Sequence, residues 1–371
     1  NITMHPLYTH SIELIRAHQA PGGAYVASPT FNEYGYCWFR DGAYIAYAMD
    51  LVGEHESAAR FYGWATRIIA GRAPQIERAV DAASRGHAPA PEDLLNTRYG
   101  LNGEANDDGW PNFQLDGFGT LPWGMAEHLS LSGRVLPGEW RGAVDLLARY
   151  LGALWQFPCY DCWEEFGDKV HTSTLATLYG GLNAASLLLG EETHARTAEA
   201  IREFVLDKCV RDGSLCKFVG SEAVDSNLIH ASTPYRLLAP GDPVMQATIA
   251  RIEAELRREG GGLHRYADDS YYGGGEWVLL TAYLGWHYVE RGDLGRVREL
   301  LSWVEGCADS NSMLPEQVAE HLNHPDMLPY WEDLWGPSAC PLLWSHGAYL
   351  TLVEHLRRAS EAATAVDTAA H

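Results

Sequence analysis

Residues Thr172–Leu189 read TSTLATLYGGLNAASLLL. This run carries no charged side chain, so as a helix it is apolar on every face, and such a helix has to be buried all round. Directly before it, Cys159–His171 read CYDCWEEFGDKVH and set two adjacent carboxylates, Glu164 and Glu165, behind Trp163. Acidic groups at that position complement the positive end of the helix dipole and accept free backbone N–H groups. The pair also sits among Tyr160, Trp163 and Phe166, and aromatic walls raise a carboxyl pKa by desolvation. A buried helix with polar and aromatic chemistry at its threshold is the unit to seek elsewhere in the chain.

The unit recurs. Hydrophobic periodicity and turn signals predict helices over 5–18, 42–53, 55–83, 118–132, 139–156, 171–190, 192–208, 226–238, 243–258, 276–291, 294–306 and 345–358. Some have one wet side: in 243–258, Met245, Ile249, Ile252 and Leu256 mark a single face. Others are apolar all round, as in Ala43–Met49, Leu175–Leu189, Trp277–Leu284 and Ala348–Val353. The two kinds largely alternate, which predicts an inner ring of helices inside an outer ring. Six helical hairpins then close an all-α, (α/α)6 barrel of six inner and six outer helices. No short fixed repeat supports an open solenoid instead. In such a barrel every inner helix starts at the same end, so the loops leading into the inner helices meet at one mouth. Residues 1–358 are expected to form one such catalytic domain, and the Ala-rich polar stretch 359–371 a disordered tail.

Composition narrows the function. The net charge of −22 argues against nucleic acid and anionic membranes as partners. No apolar run is long enough to span a membrane, and NITMHPLYTH lacks the basic start and apolar middle of a signal peptide. Seven cysteines without a dense framework suit reduced thiols and a cytoplasmic address. Cys159-x-x-Cys162 has no second ligand pair at zinc spacing and no βαβ setting for redox work. Asp107-Asp108 and Asp268-Asp269 lack an EF-hand pattern. No metal and no cofactor are expected. Thirteen Trp and nineteen Tyr fit a neutral ligand in an aromatic-lined cleft.

The leading loops hold the unusual residues: Tyr36–Asp41 with Trp38, Arg40 and Asp41; Gly109–Asp116; Trp163-Glu164-Glu165; His264–Asp269 with Arg265; and Glu316 together with Trp344–His346. Two loops, 84–117 and 306–344, are too long for plain connectors. A mouth of carboxylates, Arg and Trp suits glycoside hydrolysis. That reaction needs one protonated carboxyl for the leaving oxygen and one carboxylate to activate water or attack the sugar. Adjacent Glu164 and Glu165 cannot flank one bond from opposite sides, so the partner is expected from another loop, with Glu316 the best candidate. Asp108, or its neighbour Asp107, could help position the catalytic water.

Taken together, the ordered blocks APGGAYVASPTFNEYGYCWFRDGAYIAYAMDLVGE, QLDGFG, WEE before a Thr-rich helix, Arg265 before YYGGGEWV, then PEQ and LWSH resemble the glucoamylase-like family-15 glycoside hydrolases over residues 20–355. By that resemblance Glu164 is the general acid and Glu316 the general base. Glu165 binds substrate beside the acid. Arg40, Asp41 and Arg265 hold the terminal glucose, Trp163 and Trp344 are walls, and Trp38 and Asp116 belong to the same substrate-binding set. The resemblance also implies an inverting, exo-acting α-glucosidase. The stretch contains no β-domain or starch-binding module, which favours a small oligosaccharide such as isomaltose, with the two long loops closing over the second sugar. The alternatives are an α-1,4 glucohydrolase (glucoamylase), a trehalase, a sugar epimerase using His171, His230 and His346, and a non-catalytic glycan-binding protein.

Overall fold

The computed structural model describes residues 4–370. Its helices are α1 (Pro6–Ala17), α2 (Phe39–Leu51), α3 (His55–Ala70), α4 (Ala73–Ser84), α5 (Asp116–Ser132), α6 (Gly138–Leu154), α7 (Thr172–Leu189), α8 (Thr193–Lys208), α9 (Pro243–Leu256), α10 (Val278–Glu290), α11 (Leu294–Gly306), α12 (Met327–Trp335) and α13 (Leu343–Ala370). Every residue of α2 is buried, as are most of α5, α7, α10 and the first half of α13. These are the runs read as apolar all round, and they form the inner ring. α2 packs on α5, α5 on α7, α7 on the 3-10 turn Ser226–Ala231, that turn on α10, α10 on α13, and α13 back on α2. Outside them, α3, α6, α8, α9, α11 and α1 cover the six inner members in turn. The architecture is the (α/α)6 barrel, with no barrel sheet among the described residues.

Three antiparallel ladders of two residues each tie loops together: β1 (Cys37–Trp38) with β2 (Arg98–Tyr99), β3 (Val210–Arg211) with β4 (Ser214–Leu215), and β5 (Glu276–Trp277) with β6 (Gln317–Val318). β1 runs straight into α2 and β5 into α10. Each of these two ladders therefore fixes the start of an inner helix against one of the long loops.

Four local expectations are corrected. The stretch 55–83 is two helices, because the chain turns at Gly71-Arg72 and Pro74 is accommodated in the first turn of α4. The stretch 226–238 is only a 3-10 turn: Pro234 disfavours helical backbone at Thr233, and Asp225 caps the turn by accepting from Asn227 N–H. A short helix, α12, lies inside the long loop 306–344, where flanking Pro and Gly hide it from periodicity. Residues 359–370, expected as a disordered tail, continue α13 as a solvent-exposed helix, in keeping with the helix propensity of an Ala-rich sequence.

The α5–α7 crossing depends on small residues. A Cβ added to Gly181 would lie 2.3 Å from the carbonyl oxygen of Gly119, so the two backbones touch directly. Gly181→Ala should therefore overpack the ring and lower stability by about 1–3 kcal/mol. Thermal denaturation measures this, and an unchanged midpoint would contradict the packing argument.

Candidate active site

The loops leading into the inner helices enclose a cavity of about 400 Å³ at the mouth. That is the small end of the range for pre-formed ligand pockets, roughly 300–1,000 Å³. Four carboxyls (Asp41, Glu164, Glu165, Glu316) and two guanidiniums (Arg40, Arg265) line it among aromatic rings. Below, Trp344 stacks on Tyr44 with centroids 5.4 Å apart and planes 7° apart, and its indole N–H donates to Tyr283. Stacked rings plug the barrel axis under the cavity.

Glu164 is set by its backbone first. Asp161 is fully buried, and its Oδ1 accepts from the N–H groups of Trp163 and Glu165 at 2.9 and 3.0 Å. Its carbonyl accepts from Glu164 N–H. This tight turn holds Glu164 at φ 65° and Phe166 at φ 54°, a left-handed conformation that costs energy for any residue but Gly. The Glu164 side chain then receives three N–H donors on a single oxygen. Trp110 Nε1 and Gln114 Nε2 reach Oε2 at 2.6 Å each, and Trp38 Nε1 at 3.2 Å. The Gln114 amide is oriented because its Oε1 accepts from Arg40 and Thr97. With Oε2 saturated by donors, a proton on this carboxyl belongs on Oε1.

Glu316 is held from both sides along the chain. Its N–H donates to the Ala339 carbonyl, and its carbonyl accepts from Val278 N–H. Leu314 N–H donates to His346 Nε2, and Ser345 Oγ donates to the Pro315 carbonyl. Burial pushes His346 down to about 3, so it is a neutral ring that accepts at Nε2 and donates from Nδ1 to Ser11 Oγ. The Glu316 carboxylate accepts from Tyr34 OH at 3.2 Å, and Tyr34 OH is 2.8 Å from Tyr271 OH. Burial pushes Glu316 up to about 8, with Arg265 opposing. Trp38 bonds Glu164, Tyr34 bonds Glu316, and the two rings are 5.7 Å apart.

The two guanidiniums are buried in separate cages. Arg40 donates to Gln114 and faces Asp116 at 3.4 Å and Asp41 at 3.5 Å. Burial pushes Asp41 up to about 7 although Arg40 opposes it. Arg265 binds Asp269 with two nitrogens at 2.7 and 2.8 Å and reaches Glu165 at 3.4 Å, while Tyr266 OH donates to Glu165 at 2.6 Å. The Arg265 guanidinium also lies 4.9 Å from the Trp277 ring centroid and 5.2 Å from that of Trp163.

Ten of the sequence-predicted residues thus come together: Trp38, Arg40, Asp41, Trp163, Glu164, Glu165, Arg265, Glu316 and Trp344 line the cavity, and Asp116 lies under Arg40. Asp107 and Asp108 do not line it. Both are exposed; Asp108 pairs with Arg98 and accepts from Trp110 N–H, contacts within its own loop. His171, His230 and His346 are likewise outside the cavity lining. Two groups of potential metal ligands among the described residues, Asp145/Glu191/His194 and Glu276/Glu320/His321, also lie outside it. Sequence reasoning missed Tyr34, Arg98, Asp161, Lys217 and Asp225, and gave Gln114 no role beyond its place in the Gly109–Asp116 loop. Of the missed residues Asp161 and Asp225 carried a local signal, that of an Asx turn.

Comparison with known proteins agrees. A family model described as glycosyl hydrolases family 15 matches residues 3–294. An isomaltose glucohydrolase of Kribbella flavida is 41% identical over 360 residues, covering 95% of this chain and 93% of that one. Among solved structures, a single-residue glycosidase variant in complex with glucose superposes with a TM-score of 0.91 at 40% identity, covering 95% of this chain and 96% of that chain. A bacterial glucoamylase complexed with acarbose shares the fold, with a TM-score of 0.73 at 17% identity over 96% of this chain and 56% of its own.

Lys217 marks where this arrangement is most vulnerable. Its ammonium is buried against Asp225 and lies 3.6 Å from Asp161, while Trp163 Nε1 also donates to Asp225. Lys217→Met should leave two buried carboxyls without their cation and cost about 3–5 kcal/mol. A urea denaturation midpoint equal to that of the unmodified protein would show that Lys217 is dispensable.

Proposed function

The chain belongs to glycosyl hydrolases family 15, and we propose that within it this protein is an inverting, exo-acting α-glucosidase. It releases β-glucose from the non-reducing end of short α-1,6 glucosides, isomaltose foremost. The observation that carries the reading is the pair Glu164 and Glu316, presented by two different loops to one cavity, each bonded to its own aromatic side chain, Trp38 for Glu164 and Tyr34 for Glu316. Inversion needs carboxyls far enough apart for a water, roughly 6.5–9.5 Å, and two carboxyls that bond separate side chains rather than each other suit it.

In this reading Glu164 is the acid, delivering its proton from Oε1 to the glycosidic oxygen. Glu316 is the base that draws a proton from the attacking water. Arg40, Asp41 and Arg265 hold the hydroxyls of the terminal glucose, with Trp38, Trp163 and Trp344 as walls and Asp116 fixing Arg40. The Glu316 carboxylate, ionised when it acts as base, faces the positive charge that grows on the sugar in an oxocarbenium-like transition state. The plugged floor restricts attack to a chain end. The α-1,6 preference is supported by the 41% identity to the isomaltose glucohydrolase and by the small cavity. A cytoplasmic address belongs to the same proposal and is supported by cysteines that are all free; fractionation of the source cells tests it.

Three outcomes check this. Glu164→Gln and Glu316→Gln should each lower kcat by at least ~10²–10⁴; near-normal turnover in either removes that assignment. Proton NMR in the first minutes should show β-glucose ahead of mutarotation, and kcat/KM should be higher on isomaltose than on maltose or trehalose. A higher value on maltose or trehalose would replace the linkage while leaving the family intact.

The pH profile follows from what the base must hold. Glu316 has to be ionised to draw a proton from water, and burial pushes it up to about 8. The acid limb of the kcat/KM profile should therefore lie near 8, activity rising as Glu316 loses its proton. An acid limb in the ordinary carboxylate range would contradict the desolvation argument.

A further inference from the structure

The cavity has one side that the inner ring does not build. α12 has no buried residue, so it is set onto the mouth rather than into the core. Two of its residues one turn apart, Trp331 and Trp335, line the cavity, while Tyr330 and Leu334 are exposed on its outer side. The Trp335 ring lies over Trp110 with centroids 6.4 Å apart and planes 21° apart. Trp110 comes from the opposite long loop, and its indole N–H bonds Glu164. Since Glu164 would serve the leaving oxygen, the Trp110–Trp335 pair stands on the leaving-group side.

We propose that α12 is a size gate: Trp335, closed over Trp110, restricts the leaving group to a single sugar unit. The gate rests on the glucoside-hydrolase reading above and adds to it what decides chain length. The spacing carries the argument. Carbon atoms pack at about 3.5–4.0 Å, so a sugar ring between two aromatic faces needs roughly 7–8 Å. At 6.4 Å the pair does not admit a ring. One leaving sugar fits beneath it, and a longer chain has to part it.

The two partners are unequally free to move. Trp110 is fixed, with the Arg98 guanidinium 3.9 Å from its ring centroid and its N–H committed to Glu164. Displacing it would cost the acid a hydrogen bond. Trp335 sits on the added helix, braced by Phe31 at 6.0 Å and Trp331 at 5.1 Å, and the C-terminal end of α12 is latched where Tyr272 OH donates to the Gly336 carbonyl.

The test compares kcat/KM on isomaltose and isomaltotriose for the unmodified protein, Trp335→Ala, Trp335→Phe and Leu334→Ala, with thermal denaturation to confirm folding. The disaccharide-to-trisaccharide ratio should fall by at least about tenfold in Trp335→Ala, a change of roughly 1.4 kcal/mol in relative barrier. Trp335→Phe, which keeps a ring, should retain most of the ratio, and Leu334→Ala on the outer side should leave it unchanged. A folded, active Trp335→Ala with the original ratio overturns the gate, as does an unmodified protein that prefers the trisaccharide. Absence of hydrolysis of every α-glucoside by the unmodified protein overturns the activity reading instead.

Discussion

Burying carboxyls together is possible only if positive charge is buried with them, and in this protein two guanidiniums meet that demand. Arg40 sits among Asp41, Asp116 and Gln114, and Arg265 among Asp269, Glu165 and the faces of Trp163 and Trp277. An unpaired charge in such a place would cost several kcal/mol. Each Arg also joins loops that are distant in sequence. Arg40 at the start of α2 meets the start of α5, and Arg265 meets the loop before α7. The same contacts that neutralise the mouth therefore align the loops that carry its chemistry.

A second layer of contacts acts on the two glutamates without touching the cavity. Asp161 shapes the turn that forces Glu164 into left-handed backbone, and Lys217 and Asp225 hold that turn in place. Glu316 is fixed by a ladder on one side and by the Ser345–His346 pair on the other. The two devices differ in kind. Strain at Glu164 is stored in φ and offset by buried ionic contacts, whereas Glu316 sits in relaxed backbone with both flanking peptide groups bonded. The difference fits groups that must each offer one free carboxyl oxygen in a fixed direction.

The aromatic residues serve two purposes that their number alone does not separate. Trp344 and Tyr44 close the floor, and Trp38 and Tyr34 each bond one of the two glutamates. Trp110, Trp331 and Trp335 form a rim carried by the two long loops. The floor belongs to the closed ring, while α12 is an addition to it. A rim of that kind can change substrate size without altering the chemistry below.

The sequence by itself determined the barrel. Runs such as Thr172–Leu189 are apolar on every face, so they had to be enclosed, and their alternation with half-wet helices left a double ring as the compact solution. Because antiparallel hairpins bring all leading loops to one end, Arg40, Asp41, Glu164, Arg265 and Glu316 were also legible as one group. Only the tertiary structure decided which residues hold them. Lys217, Asp225, Arg98 and Gln114 are ordinary polar residues in the chain, and their roles come from partners up to 74 residues away, as with Arg40 and Gln114. It also decided that the fourth inner member is a single 3-10 turn and that α12 exists. Both are short, and both are stabilised by what they pack against rather than by a periodic pattern of their own. Asp108 pairs with the buried Arg98 and does not line the cavity, and nothing in the order of residues records that contact.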